Sequence, residues 1–147
     1  MLKIAAAIMV FLLGSVAGVQ ARDEIAGPVE AEIMRVVDGD TLLVEAMPWP
    51  QQRIEVYVRI RGIDAPETRS KCARISLAGN EAKQALEQLT IPSAKIHLVH
   101  ISGDKYFGRI VADVVLPDGS SVADNLRLAG LVQDYDGGRK PREVCDR

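Results

Sequence analysis

Five short β-rich runs, a helical segment between the third and fourth, and a second helical segment after the fifth predict a mainly β, α+β domain. This is the chain order of a five-stranded OB-fold barrel. The chain has 147 residues, and a domain usually takes about 100–200. Closing the sheet on itself removes exposed edges and lets so short a chain enclose one core.

Each element has its own signal. Glu30 to Val37 and Thr41 to Ala46 are β-rich runs divided by Asp38-Gly39-Asp40. Asp-Gly between two such runs reads as a hairpin, with the glycine supplying the positive φ of a tight turn. Met47-Pro48-Trp49-Pro50 is expected to break the second strand. In the third, Ile54, Val56, Val58 and Ile60 alternate with Glu55, Tyr57, Arg59 and Arg61, which puts the aliphatics on the core face and both arginines on the other. Gly62 then interrupts the strand. Ser76 to Leu89 is helical, with Leu77, Ala78, Ala82, Ala85, Leu86 and Leu89 near a helical period; Gly79 counts against it and Ile91-Pro92 ends it. Ala94 to Ile101 and Arg109 to Leu116 are the last two strands, followed by the turn Pro117-Asp118-Gly119. Ser121 and Asp124 read as a capping pair for a helix to Ala129, with Gly130 as its stop. Residues 136–147 form an irregular tail.

Residues 1–21 read as a secretory signal peptide: a positive Met1-Leu2-Lys3 start, an uncharged apolar run from Ile4 to Val19, and a small-x-small cleavage pattern at Val19-Gln20-Ala21. The mature chain, 22–147, is expected to be a single domain, periplasmic or secreted, monomeric, and without stable membrane association after cleavage. The run to Ala21 is also at the edge of the length that spans a bilayer, so an uncleaved anchor stays open. Eighteen Lys and Arg against twenty Asp and Glu give a net charge of −2, which advertises no bulk affinity for nucleic acid or membrane. Two Cys and two His exclude a disulfide-rich scaffold, a Cys-only zinc site and a three-His zinc centre. In an exported chain two unpaired thiols would be unusual, so a Cys72–Cys145 disulfide is expected. It would close a long loop and pin the tail, worth about 4–5 kcal/mol in chain-entropy models.

The polar residues with chemical potential lie where strands end. Asp38 and Asp40 sit in the first hairpin turn, and Asp64-Ala65-Pro66-Glu67 follows the third strand. Any one of these acids has the ordinary explanation that Asp favours turns. Together, if the hairpin packs beside the third strand's end, they form a cluster that needs a cation. Oxygen donors without His or Cys suit a hard ion, Ca²⁺ or Mg²⁺, and no EF-hand loop is present. Arg59 lies five residues before Asp64, and Arg109 opens the fifth strand. Each alone reads as a solvated surface charge. Beside a cation held by acids, two guanidiniums are what phosphodiester hydrolysis requires, because they neutralise charge building on phosphate oxygens.

Taken in order, Val36-Val37-Asp38-Gly39-Asp40-Thr41, then Arg59 with Asp64-Ala65-Pro66-Glu67, then Lys105-Tyr106-Phe107-Gly108-Arg109 resemble the staphylococcal-type thermonuclease family. Gly130-Leu131-Val132 is similar too, and the resemblance spans roughly Glu30 to Tyr135. It implies that Asp40 and Asp64 bind Ca²⁺ through carboxylates and Ala65 through its carbonyl, where the family often has threonine. It implies that Glu67 positions or deprotonates the attacking water, that Arg59 and Arg109 grip the phosphate, and that Asp38 acts further out. Lys105, Tyr106, Phe107 and Tyr135 are the implied substrate contacts. The implied reaction is Ca²⁺-dependent hydrolysis of DNA and RNA, leaving 3′-phosphates. Phe107 lengthens the usual Lys-Tyr-Gly-Arg segment by one residue. With Arg69, Lys71, Arg74 and Lys105 as the local cations, an acidic chain is expected to hold its substrate weakly and in a salt-sensitive way. The readings from other classes are a non-catalytic OB-fold module binding nucleic acid or sugar, a partner-binding domain, and a phosphoesterase for small phosphates. Chelator-sensitive hydrolysis separates the expected reaction from the first, an exposed apolar patch would mark the second, and comparing a polynucleotide with a simple phosphate ester decides the third.

Overall fold

The computed structural model describes residues 23–140 and Cys145. The strands are β1 Glu24–Ile25, β2 Val29–Asp38, β3 Thr41–Trp49, β4 Gln52–Ile60, β5 Ile63–Asp64, β6 Lys95–Gly103, β7 Arg109–Val115 and β8 Gln133–Asp134; the helices are α1 Ala73–Thr90 and α2 Val122–Leu128. β2, β3 and β4 form an antiparallel meander. β4 pairs with β7 in parallel, β7 with β6 antiparallel, and β6 with β2 antiparallel. The ring β2-β3-β4-β7-β6 is therefore closed, a five-stranded mixed barrel consistent with an OB-fold. α1 lies between the third and fourth barrel strands in chain order, as the sequence predicts. β1 lengthens the sheet beyond β6, and β5 pairs with β8 as a separate ribbon.

The barrel interior is filled by Leu42, Val44, Val58, Ile60, Leu98 and Val114, with Leu86 of α1 and Leu126 of α2 packed into the same cluster. The buried face of α1 is Gly79, Ala82, Leu86 and Thr90, a helical spacing. Leu77, expected on that face, is exposed. α1 also begins three residues before the expected Ser76. Its N-cap is Cys72, which makes no side-chain cap bond, so the sequence carries no capping signal at the true start. The disulfide to Cys145 holds that residue instead.

Met47 to Pro50 does not end β3 where expected. The β3–β4 hairpin continues to Trp49↔Gln52, with a register irregularity after Ala46. Pro48 falls within it, where a missing N–H costs little. The projecting hairpin tip also leaves Ile54 exposed, against the expected core face; Val58 and Ile60 are buried as expected. The end of α2 is a Schellman stop: Gly130 at φ +69° gives its N–H to Arg127 O, and Leu131 gives its N–H to Leu126 O. At its start, Ser121 Oγ accepts from Asp124 N–H. The expected signal peptide lies outside the described residues. Within the tail, 136–140 has no regular structure.

Candidate active site

Asp40 owes its position to the barrel's hydrogen-bond ladder. It ends the β2–β3 turn, and its carbonyl accepts from Ile60 N–H at 2.9 Å, tying the turn to the end of β4. Thr41 is the register partner of Arg59, so the Arg59 side chain emerges beside Asp40. Gly39 serves that turn through its lack of a side chain. Its φ is not positive, contrary to expectation, but a Cβ there would lie 2.6 Å from Ala82 Cβ and 2.9 Å from Ala65 Cβ. The hairpin turn, α1 and the segment after β4 thus meet at one point.

Arg59 joins two acids. Its Nη1 lies 2.8 Å from Asp40 Oδ1 and its Nη2 lies 2.7 Å from Asp64 Oδ1. Asp64 reaches this place because Gly62, at φ +80°, reverses the chain after β4. Nη2 also donates to the Ile63 carbonyl. Asp40, only 4% exposed, uses three acceptor sites: Oδ1 also accepts from Thr41 Oγ1, and Oδ2 accepts only from Ala65 N–H, at 2.9 Å. Burial alone would lower the Arg59 pKa, but the Asp40 charge and the hydrogen bonds to Asp64 and Asp40 outweigh it and raise it. The guanidinium is therefore permanently charged and fixed.

Glu67 sits on the loop after Asp64, and its side chain is exposed. That loop lies on α1 at Gly79, where a Cβ would come within 2.6 Å of Pro66 O and 2.9 Å of Glu67 C. The glycine that weakens the helical reading is thus the seat of the Glu67 loop. Thr68 completes it, donating to Asp38 Oδ1 at 3.0 Å. Asp38 is accordingly turned toward Thr68 and is not joined to Arg59.

Across the cleft, Arg109 begins β7. Its Nε donates to Asp104 Oδ2, and its guanidinium lies 4.7 Å from the centre of the Tyr106 ring. Partial burial would push the Asp104 carboxyl up, but the Arg109 hydrogen bond and charge, with backbone N–H donors of Lys105 and Tyr106, hold it below the ordinary range. Phe107, at the tip of this loop, is fully exposed. Tyr135 reaches the same cleft through the β5–β8 ribbon. Its N–H bonds Gly62 O, and its ring centre is 5.5 Å from the Arg59 guanidinium.

Asp40, Arg59, Ala65, Glu67, Tyr106, Arg109 and Tyr135 line one open cleft of about 1500 Å³. Of the expected local cations, Lys105 lines it, whereas Arg69, Lys71 and Arg74 do not. Sequence reasoning missed two residues of this place. One is Asp104, whose bond to Arg109 has no periodic signal. The other is Lys140, whose Nζ lies 2.7 Å from Asp64 Oδ1 and 3.5 Å from Glu67 Oε1.

The donor set fits a hard cation. Among the described residues no three His, Cys, Asp or Glu side chains converge on one point. The expected ligand set contains only two carboxylates, Asp40 and Asp64, and completes itself with a backbone carbonyl. Both carboxylates are already drawn to positive charge, on the two arms of one guanidinium. Oxygen donors of this kind, with water in the remaining positions, suit Ca²⁺ or Mg²⁺.

The sequence profile of the family described as staphylococcal nuclease homologue matches residues 57–143. No curated protein matches the chain at a significant level. The match covers more than half of the chain and runs from β4 to the tail, taking in Arg59, Asp64, Ala65, Glu67, Arg109 and Tyr135 but neither Asp38 nor Asp40 of the β2–β3 turn. The chain belongs to this nuclease-like family, for which the implied substrate is nucleic acid.

Proposed function

From that membership we propose that the chain is an exported, Ca²⁺-dependent nuclease that hydrolyses phosphodiester bonds of DNA and RNA and leaves 3′-phosphates. The observation that carries this reading is the convergence of Asp40, Arg59, Glu67 and Arg109 on one cleft, with Asp64 joined to it through Arg59. Asp40, Asp64 and the Ala65 carbonyl would hold the ion. When bound, the ion adds positive charge beside the phosphate and lowers the pKa of a neighbouring water. Glu67, at the end of its loop, takes the proton from the attacking water. The water oxygen bonds to phosphorus as the bond to the 5′-oxygen breaks, and the leaving 5′-oxygen takes a proton from solvent water. Arg59 and Arg109 donate hydrogen bonds to the phosphate oxygens and strengthen their hold as charge develops there. Tyr106, Phe107 and Tyr135 offer aromatic faces to bases, and Lys105 a charge to the backbone.

The mature chain, 22–147, would act as a monomeric single domain outside the cytoplasm, with cleavage after Ala21. One observation supports export: the Cys72–Cys145 disulfide, a bond that persists in oxidising compartments. The test is hydrolysis of DNA and of RNA in Ca²⁺, in Mg²⁺ and in chelator. Cleavage in Ca²⁺ that stops with chelator and yields 3′-phosphates is expected. Binding of nucleic acid with no cleavage in either ion would replace the proposal with the non-catalytic module.

A further inference from the structure

Lys140 is a cation in the cleft that the proposed chemistry does not use. Its ammonium stands between the carboxylate proposed as an ion ligand and the one proposed as the base, at 2.7 Å from Asp64 Oδ1 and 3.5 Å from Glu67 Oε1. Asp64 Oδ1 is the same oxygen that accepts from Arg59 Nη2, so two cationic groups already meet on it. A divalent ion brought to Asp64 would meet the Lys140 ammonium at contact distance, and like charges so close repel strongly.

The location of Lys140 in the chain explains how it gets there. Cys145 follows it by five residues and is bonded to Cys72, which in turn follows Glu67 by five residues. Five residues reach at most about 18 Å even when fully extended. The disulfide therefore limits how far Lys140 can stray from the start of α1, and so raises its effective concentration near the loop that carries Glu67. The lysine stem is flexible, and its side chain is 42% exposed, so the ammonium can leave toward solvent.

We propose that Lys140 is a resident stand-in for the divalent cation: it neutralises Asp64 and Glu67 when no ion is bound, must withdraw before one binds, and is kept within reach by the Cys72–Cys145 bond. The proposal rests on the reading of Asp64 as an ion ligand given above. Its consequence is a metal affinity set below that of the bare carboxylates, and set by the redox state of the Cys72–Cys145 bond.

The test is Ca²⁺ binding, measured by titration calorimetry with CaCl₂ on oxidised and on reduced protein, with folding checked by circular dichroism. Oxidised Lys140→Met is expected to bind Ca²⁺ about two- to fivefold more tightly than oxidised wild type, the range for displacing a partly exposed ion pair first. Reduction is expected to tighten wild type toward that value and to leave Lys140→Met unchanged. Arg139→Met, which removes the neighbouring charge, is expected to change the affinity less than the Lys140 substitution does. Equal Ca²⁺ affinities for wild type and Lys140→Met, or an equal gain from Arg139→Met, overturn the stand-in role while leaving the ion site in place. Reduction without effect on wild type overturns the tether. Absence of Ca²⁺ binding by both oxidised proteins overturns the ion site, and the stand-in role with it.

Discussion

The floor of the cleft and its rim are built by different means. On the floor, every oxygen of Asp40 is engaged: by Thr41, by Arg59 and by the Ala65 backbone. The strand register puts Arg59 opposite Thr41, and the Asp40 carbonyl is bonded to Ile60. On the rim, Lys105, Tyr106 and Phe107 project from a loop, and Phe107 touches almost nothing. Arg109 is held there by an ion pair with Asp104. The floor therefore costs folding energy to alter and holds charges in place, as stabilising a transition state requires. The rim offers surface that can adapt to a ligand at little cost to the fold.

Substitutions on the two sides should separate accordingly. Arg59→Ala leaves the buried Asp40 without its cation. It is expected to lower unfolding stability by roughly 3 kcal/mol, read from urea denaturation, and to lower kcat at least about 10²-fold. A variant of wild-type stability would break the comparison. Gly79→Ala adds a methyl group against Pro66 O and Glu67 C. Its stability should fall by about 1–3 kcal/mol from overpacking, and displacement of the Glu67 loop should cost up to about 10²-fold in kcat. On the rim, Phe107→Ala should leave the melting temperature unchanged and raise KM for an oligonucleotide about tenfold through lost stacking. A change in kcat alone would move Phe107 into the catalytic machinery.

The smallest effect concerns Asp104. Its carboxyl is held below the ordinary range, chiefly against the opposing effect of burial, by Arg109. A depressed carboxyl stabilises the fold above its unfolded pKa and loses that contribution as pH falls through the folded value. Wild type should therefore exceed Asp104→Asn by about 1 kcal/mol at neutral pH. The gap should narrow only below about pH 4. Urea midpoints across that range measure it.

Much of this was legible in the sequence where periodicity or a short motif carried it. The alternation from Ile54 to Arg61 revealed β4 and put Arg59 on the face away from the core. The Asp38–Asp40 turn and the spacing from Arg59 to Asp64 pointed to the floor. What stayed hidden depends on contacts between distant segments. β1, β5 and β8 are two residues each, too short for any period. Gly39 and Gly79 are needed for close approach to α1, which no turn or helix preference reveals. Lys140 lies in a tail with no apolar period and reaches Asp64 only in the folded chain. Ile54 fits its period and is exposed because the hairpin extends past the core, whereas Leu77 lies on the face of α1 opposite Leu86.

The central claim is that these floor and rim residues form one hydrolytic site, and Glu67→Gln tests it most directly. The change keeps the size and exposure of the side chain and removes its base. With saturating Ca²⁺ and single-stranded DNA as substrate, the folded variant is expected to keep KM near the wild-type value while kcat falls about 10²–10⁴-fold. Undiminished kcat in folded Glu67→Gln would contradict the account.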